Sequence, residues 1–287
     1  MSSFPFIPVS DDSSLSFALQ CEKIHNERQD RHISMTSRKE SSIFDTVYTT
    51  IKNKILHLEF RPGKPISVAT LADALQVSRT PVHDAILKLS NENLIDVFPK
   101  SGSRVSLIDI KRTEDERFIR KALELSAIRE MFYNYDESYL STMETCIKEH
   151  ELAFKENRYI DTLYWDSQFH FQIFRCIHKE YCWEIGTRYS ANEYRVRLLA
   201  EKAIATTQEF VLQNHRDIVR FLRDRNLDAV LQIEEQHLAR ITTEITTLVA
   251  AYPALFTTAN DTSIPQKIRT KEDFTENFLD TIQPIGK

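Results

Sequence analysis

The chain has 287 residues, 41% of them apolar, and a formal net charge of −5. That length and apolar fraction suit one large or two modest domains with substantial cores and exclude a disordered chain. No run approaches the roughly eighteen apolar residues that a membrane span needs, and MSSFPFIPVSDDSS does not read as a secretory signal.

Four scattered cysteines, Cys21, Cys146, Cys176 and Cys182, form no CxxC pair and read as reduced thiols of a cytoplasmic protein. The acidic total does not exclude a nucleic-acid partner, because charge acts locally. Residues 41–110 hold eight Lys/Arg against seven Asp/Glu, so the acidity lies elsewhere.

Residues 1–40 show no helical or strand period and read as a disordered tail, with Met35 an alternative start. Residues 41–110 read as a domain of short elements. Ile43, Val47, Ile51 and Ile55 recur at helical spacing and predict a first helix ending near Leu58. RPGKPI reads as a turn. Ser67 then caps VATLADALQ, and Ser78 caps RTPVHDAILKLSNEN, with Pro81 tolerated in the first turn. Leu94–Phe98 and Ser103–Leu107 flank Pro99–Gly102 as a two-stranded wing.

Between Pro99 and Pro253 there is no proline, and glycine occurs only at 102 and 186, so residues 113–252 read as an antiparallel helical bundle. Six helices are expected, at 113–134, 137–156, 159–178, 181–206, 208–224 and 227–250. Thr113 is the expected N-cap of the first, and Phe118, Ala122, Leu125 and Ile128 its apolar repeat. Residues 253–287 read as a C-terminal tail with one short helix near Phe274–Leu279. The fold class is therefore mainly α, an N-terminal winged helix-turn-helix followed by the bundle.

Two short helices, a tight turn and a hairpin make the plan of a winged helix-turn-helix reader of DNA. Ser78, Arg79 and Thr80 place hydroxyls, a guanidinium and backbone N–H groups at the start of the second helix of the pair. Such groups contact phosphates and base edges. Many small helical pairs never touch DNA, so the spacing alone leaves both readings open.

The wording of PGKPISVATLADALQVSRTPVHDAILKLSNENLI resembles the N-terminal domain of the GntR family of regulators, and SRTPV is its most specific piece. The resemblance implies that Arg79, Thr80 and His83 lie at the DNA, with Lys100, Gly102 and Arg104 on the wing. His83 stands where the family usually has a guanine-reading arginine, Asp84 where it has glutamate, and Asn93 where it has glycine. A neutral histidine offers fewer contacts than a bidentate arginine, so the usual operator does not follow. Asn tolerates the left-handed backbone that a glycine would supply.

In the bundle, Asp166 and His170 lie four apart in YWDSQFHFQIF and share a helix face. His215 in QNHRDIV and His237 in EEQHLAR sit among aliphatic residues on two further helices. Three imidazoles and a carboxylate from three helices could meet as a metal site. Each residue taken singly reads as well as a surface or hydrogen-bonded core group.

Arg120 and Glu124 in RKALEL, WDSQFH, His215 and His237 resemble the C-terminal FCD domain of the FadR-type GntR regulators. The helix count resembles the VanR-like branch. That resemblance implies a divalent ion, Zn, Ni or Mn, on Asp166, His170, His215 and His237, oriented by Glu124 or Glu234. It further implies a small organic-acid effector, with Arg120 as the carboxylate-holding candidate. Asn192 and Arg195 are further candidates for the effector, or else residues of a solvated face.

Cys176, His178 and Cys182 lack zinc-finger spacing. Tyr181, Trp183, Tyr189 and Tyr194 read as packing or dimer-contact residues. The expected molecule is a cytoplasmic homodimer on a pseudo-palindromic operator, acting as a repressor. A metal-responsive regulator and a metal-dependent helical-bundle enzyme are the alternatives. The second lacks any recognisable enzyme motif.

Overall fold

The computed structural model describes residues 42–257 and 278–283. The first helix, α1 (Ile43–Leu56), buries Val47, Ile51 and Ile55, one residue per turn of its inner face. Helix α2 (Val68–Leu75) is capped by Ser67, whose hydroxyl accepts from the Thr70 amide, and it ends at Gln76 in the left-handed region. Helix α3 (Arg79–Asn91) buries Val82, Ala85, Ile86 and Leu89 and leaves its first turn to solvent. These side chains and Leu94, Ile95 and Val105 form one apolar cluster. Each fully buried aliphatic contributes on the order of 1.5–3 kcal/mol.

The wing has a third strand. Pro65–Ile66, expected in a turn, is strand β1, paired antiparallel to β3 (Gly102–Val105), which also pairs with β2 (Ile95–Phe98). Proline is tolerated there because β1 is the edge of the sheet. Asn93 adopts φ 59°, the left-handed conformation expected where the family has glycine. Asn93→Gly is therefore expected to leave the urea midpoint unchanged or raise it. Asn93→Ala should lower stability by about 1 kcal/mol, the steric cost of a Cβ in that region.

The bundle has seven helices among the described residues: α4 (Ile110–Asn134), α5 (Glu137–Lys155), α6 (Tyr159–Cys176), α7 (Glu180–Arg188), α8 (Ala191–Ala203), α9 (Thr207–Arg223) and α10 (Leu227–Ala251). The expected helix at 181–206 is broken into α7 and α8, so the six-helix count is corrected. At the break, Thr187 Oγ1 donates to the Trp183 carbonyl and Ser190 Oγ to the Thr187 carbonyl.

Helix α4 begins three residues earlier than expected. Its cap is Asp109, which accepts from the Arg112 amide, while Thr113 is buried within the first turn. Leu125 and Ile128 face the core as expected, but Phe118 is exposed.

Two apolar clusters hold the bundle region. One gathers α4, α5, α6 and α9 around Met131, Met143, Phe169 and Ile218. The other joins Leu58 and Ile108 to Val196, Leu199, Ile245 and Leu248, so the end of α1 and the residues leaving the wing share a core with α8 and α10. Part of the expected tail belongs to this second cluster. Leu255, Phe256 and Ile282 are buried, and Phe256 forms a parallel bridge with Ile108. A 3₁₀ turn runs Phe278–Thr281. Residues 274–277 of the expected short helix, and the expected N-terminal tail at 1–40, lie outside the described residues. No described helix is long and apolar enough to cross a membrane.

Candidate metal centre and DNA-reading face

On the reader, Ser78, Arg79, Thr80 and His83 are all exposed at the start of α3. Ser78 is the N-cap residue, yet its side chain makes no capping hydrogen bond. The helix thus opens with a hydroxyl, a cation and backbone N–H groups together, an arrangement suited to an anion. His83 Nδ1 lies 3.6 Å from the Asp84 carboxylate. Lys100 is exposed at the wing tip with φ 63°, and Gly102 follows at φ 101°.

Arg104 departs from the expected role on the wing surface. It is buried, its Nε donates to Asp96 Oδ2 at 3.1 Å, and its guanidinium lies over the Phe98 ring. Asp96 stands directly opposite Arg104 in the β2–β3 register, which fixes this pairing.

In the bundle, α6 projects Asp166 and His170 from successive turns, α9 supplies His215 and α10 supplies His237. All four are buried. One ligand atom from each lies within 4.8 Å of those of the other three. His170 Nε2 sits 3.1 Å from His237 Nε2 and 3.3 Å from His215 Nε2. Asp166 Oδ1 is 3.6 Å from His215 Nε2. Two nitrogens each about 2.1 Å from one ion stand roughly 3.0–3.4 Å apart at octahedral to tetrahedral angles, so these separations fit a shared cation.

The surroundings orient the rings. Glu124 Oε2 lies 2.8 Å from His170 Nδ1, which favours a proton on Nδ1 and leaves the Nε2 lone pair facing the centre. Phe169 stacks on His215, centroids 3.9 Å apart. Arg197, which the sequence reading missed, pairs with Asp166 Oδ2 and leaves Oδ1 toward His215. Glu234, the other candidate, is 3.6 Å from His170 Nδ1.

The electrostatics suit a cation. Burial, reinforced by neighbouring imidazoles, holds His215 and His237 well below the usual histidine range, so both are neutral with lone pairs available. Burial opposes ionisation of Asp166, but the Arg197 guanidinium foremost, with Arg120, overcomes it and holds the carboxyl well below its ordinary range. Burial likewise opposes ionisation of Glu124, where Arg120 and His170 win. Burial and the adjacent Glu124 push Glu234 well above its ordinary value. Of that pair, Glu124 carries the charge and Glu234 the proton.

Beside the centre lies a pocket of about 240 Å³, whose lining includes Arg120, Glu124, Ser167, Trp183, Glu193 and Arg197. Arg120 lines it and is already bonded: Nε to Glu124 Oε1 at 2.7 Å and Nη1 to Glu193 Oε1 at 3.0 Å. Its Nη2 and Glu193 Oε2 are buried with no hydrogen-bond partner. Asn192 and Arg195, expected at the effector, are elsewhere. Arg195 is fully buried and donates to the carbonyls of Ser106 and Leu107, while Asn192 Oδ1 accepts from the Asp109 amide. Trp183 packs on Phe171 and Phe174, whereas Tyr181 and Tyr189 are exposed.

A second buried group, Glu201, is pushed up to about 8 by burial, with Arg240 partly opposing this. Its contribution to stability is fully present below the unfolded value near 4.5 and is lost as pH rises through about 8. Glu201→Gln cannot ionise. Its urea midpoint is expected to gain on the wild type as pH rises from 5 to 8, with no further gain above.

Comparison with known proteins identifies the two regions. The profile described as bacterial regulatory proteins, gntR family, matches residues 44–105, and that of the FCD domain matches residues 117–240. The HTH-type transcriptional repressor RspR of Escherichia coli (strain K12) is 28% identical over 199 residues, covering 69% of this chain and 87% of its own length. A transcriptional regulator in an unstable DNA locus of Streptomyces ambofaciens is 27% identical over 213 residues, covering 74% and 89%.

Among solved structures, E. coli McbR/YncC aligns with a TM-score of 0.59 at 19% identity, over 74% of this chain and all of that one. A putative GntR regulator from Rhodococcus sp. RHA1 aligns with 0.57 at 20% identity, over 73% and 98%. These two likenesses show the fold. The two profiles occupy the winged reader and the bundle in the same order as the structure. The chain belongs to the GntR family and is a DNA-binding transcriptional regulator with a C-terminal FCD domain.

Proposed function

We propose that this regulator is a cytoplasmic repressor that binds a pseudo-palindromic operator as a homodimer and is controlled by a small organic acid at a metal-containing cavity. One observation carries the reading: the donor atoms of Asp166, His170, His215 and His237 converge inside the bundle, against a pocket bearing Arg120 and Arg197. A three-nitrogen, one-oxygen set of this kind suits Zn, Ni or Mn. The bound ion would supply a fixed positive charge for a carboxylate.

The protein's own residues do the rest. Arg197 and Glu124 fix the orientation of Asp166 and His170. Arg120 keeps its Nη2 unpaired for an incoming acceptor, and Trp183 with Phe174 forms one wall. Repression is the printed role of the similar RspR and is carried over here as part of the proposal. Exposed Phe118 and Ile119 on α4 and Tyr181 and Tyr189 on α7, two helices in contact, support a second copy as the partner.

Fluorescence anisotropy with DNA from upstream of the coding region tests the reading. Chelated protein, protein loaded with Zn, Ni or Mn, and loaded protein with a panel of carboxylic acids are compared. A carboxylate-dependent change in affinity that needs the metal supports the proposal. A full switch by metal alone replaces it with the metal-responsive regulator, because the ion itself would then carry the preference between states.

A further inference from the structure

We propose that Asn192 and Arg195 are positioning residues for the DNA reader, and that the Arg120–Glu193 pair connects them to the metal centre. The strand leaving the wing would thereby be set by the state of that centre. This rests on the reading of the centre given above, and it concerns how the centre is heard rather than what it binds.

A line of buried contacts runs between the two. His170 Nδ1 faces Glu124 at 2.8 Å, and Glu124 accepts from Arg120 Nε at 2.7 Å. Arg120 Nη1 donates to Glu193 at 3.0 Å. Glu116 then spans the first turn of α8, accepting from the Glu193 amide at 2.8 Å and from Asn192 Nδ2 at 2.9 Å. Asn192 Oδ1 accepts from Arg195 Nη2 at 2.8 Å and from the Asp109 amide at 3.0 Å. Arg195 Nη1 donates to the Ser106 carbonyl at 2.7 Å, and Ser106 Oγ donates to Asp96 inside the wing.

Residues 106–116, where the line enters the reader, fall between the two matched profiles, while Arg120, Glu124, Asn192, Glu193 and Arg195 lie within the FCD match. The physics makes the line consequential. Glu116, Glu124, Asn192, Glu193 and Arg195 are all buried. A group that draws Arg120 or Glu124 toward the pocket leaves the Glu193 carboxylate short of a partner out of water. Movement of the first turn of α8 relieves that cost. The same turn, through Asn192, holds Asp109, so movement there is movement of the wing exit.

Arg195 without this line would still be a structural clamp, and the two roles differ in a measurable way. The Asp109 amide, which donates to Asn192, is the reporter in hydrogen exchange on the full chain. In Arg120→Met it should exchange about tenfold faster, the scale of one charge-assisted hydrogen bond. Glu193→Gln, nearly isosteric, should act in the same direction if Arg120→Met does not fold. Lys121→Met, on the same helix as Arg120, breaks the exposed pair with Glu235 but stands outside the line, and should leave it as in the wild type.

Adding Mn²⁺ to chelated wild type should shift the exchange of this amide, and in Arg120→Met that response should vanish. An unchanged amide in both Arg120→Met and Glu193→Gln, equal loosening by Lys121→Met, or Mn²⁺ bound without any shift overturns the proposal. Absence of Mn²⁺ uptake by the wild type would instead overturn the metal reading alone, and the variant comparison still decides the relay.

Discussion

Protein carrying His215→Ala is expected to retain less than about a tenth of the divalent ion held by the wild type, itself expected at about one per chain. Both would be purified without chelator and read by elemental analysis. His215 provides one of only four converging donors, and its Nε2 is 3.3 Å from that of His170. Truncation removes a donor and leaves a cavity beside Phe169, so some loss of stability accompanies it. His150→Ala controls for that loss. His150 is equally buried and its ring lies 5.9 Å from that of His215, but it bonds to Gln208 and stands outside the donor set.

Retained metal in His215→Ala, or equal loss in His150→Ala, would remove the basis for the centre. Stability should follow pH as well. His215 and His237 are held neutral in the fold, so the unfolded chain takes up more protons once pH falls below about 6.5. Their contribution is present above that value and is lost as pH falls further, and bound metal is released with it.

The sequence showed which faces are buried more readily than what each buried polar group meets. Asp166 and His170, one turn apart, were legible from spacing, and the winged reader from its turns and SRTPV. Arg195 and Arg197 were not separable in this way. Two positions apart on α8, they project about 200° apart around the axis. One therefore reaches the carbonyls leaving the wing while the other reaches Asp166. Periodicity reports neither the burial of such a pair nor its destinations.

The break between α7 and α8 hid because Tyr189 and Ser190, where it falls, are neither proline nor glycine, although Gly186 lies in the last turn of α7. Arg104 was the avoidable miss. Once the hairpin is centred on Pro99–Ser101, the register sets Asp96 opposite Arg104, and an opposed charge pair on neighbouring strands is a pattern that sequence can reveal.

Arg79→Ala is expected to weaken binding to the protein's own upstream DNA by about tenfold to a hundredfold, the span of 1–3 kcal/mol that one good guanidinium–base contact supplies. Arg79 is exposed in the first turn of α3, whose inner face is closed by Val82, Ala85, Ile86 and Leu89, so the fold does not depend on it. Circular dichroism and the urea midpoint should match the wild type. A contact to phosphate alone would show differently. The loss would then be uniform across sequences, and the slope of affinity against salt would fall by about one, as expected for Lys100→Ala at the wing tip.

His83 supplies the counter-test. It follows Arg79 by one turn and is exposed on the same stretch of helix. His83→Arg installs a two-pronged donor where a single ring nitrogen now stands. The variant is expected to favour guanine-containing half-sites that the wild type binds poorly. Should Arg79→Ala bind unchanged and His83→Arg leave sequence preference untouched, the start of α3 would not be the face that reads DNA.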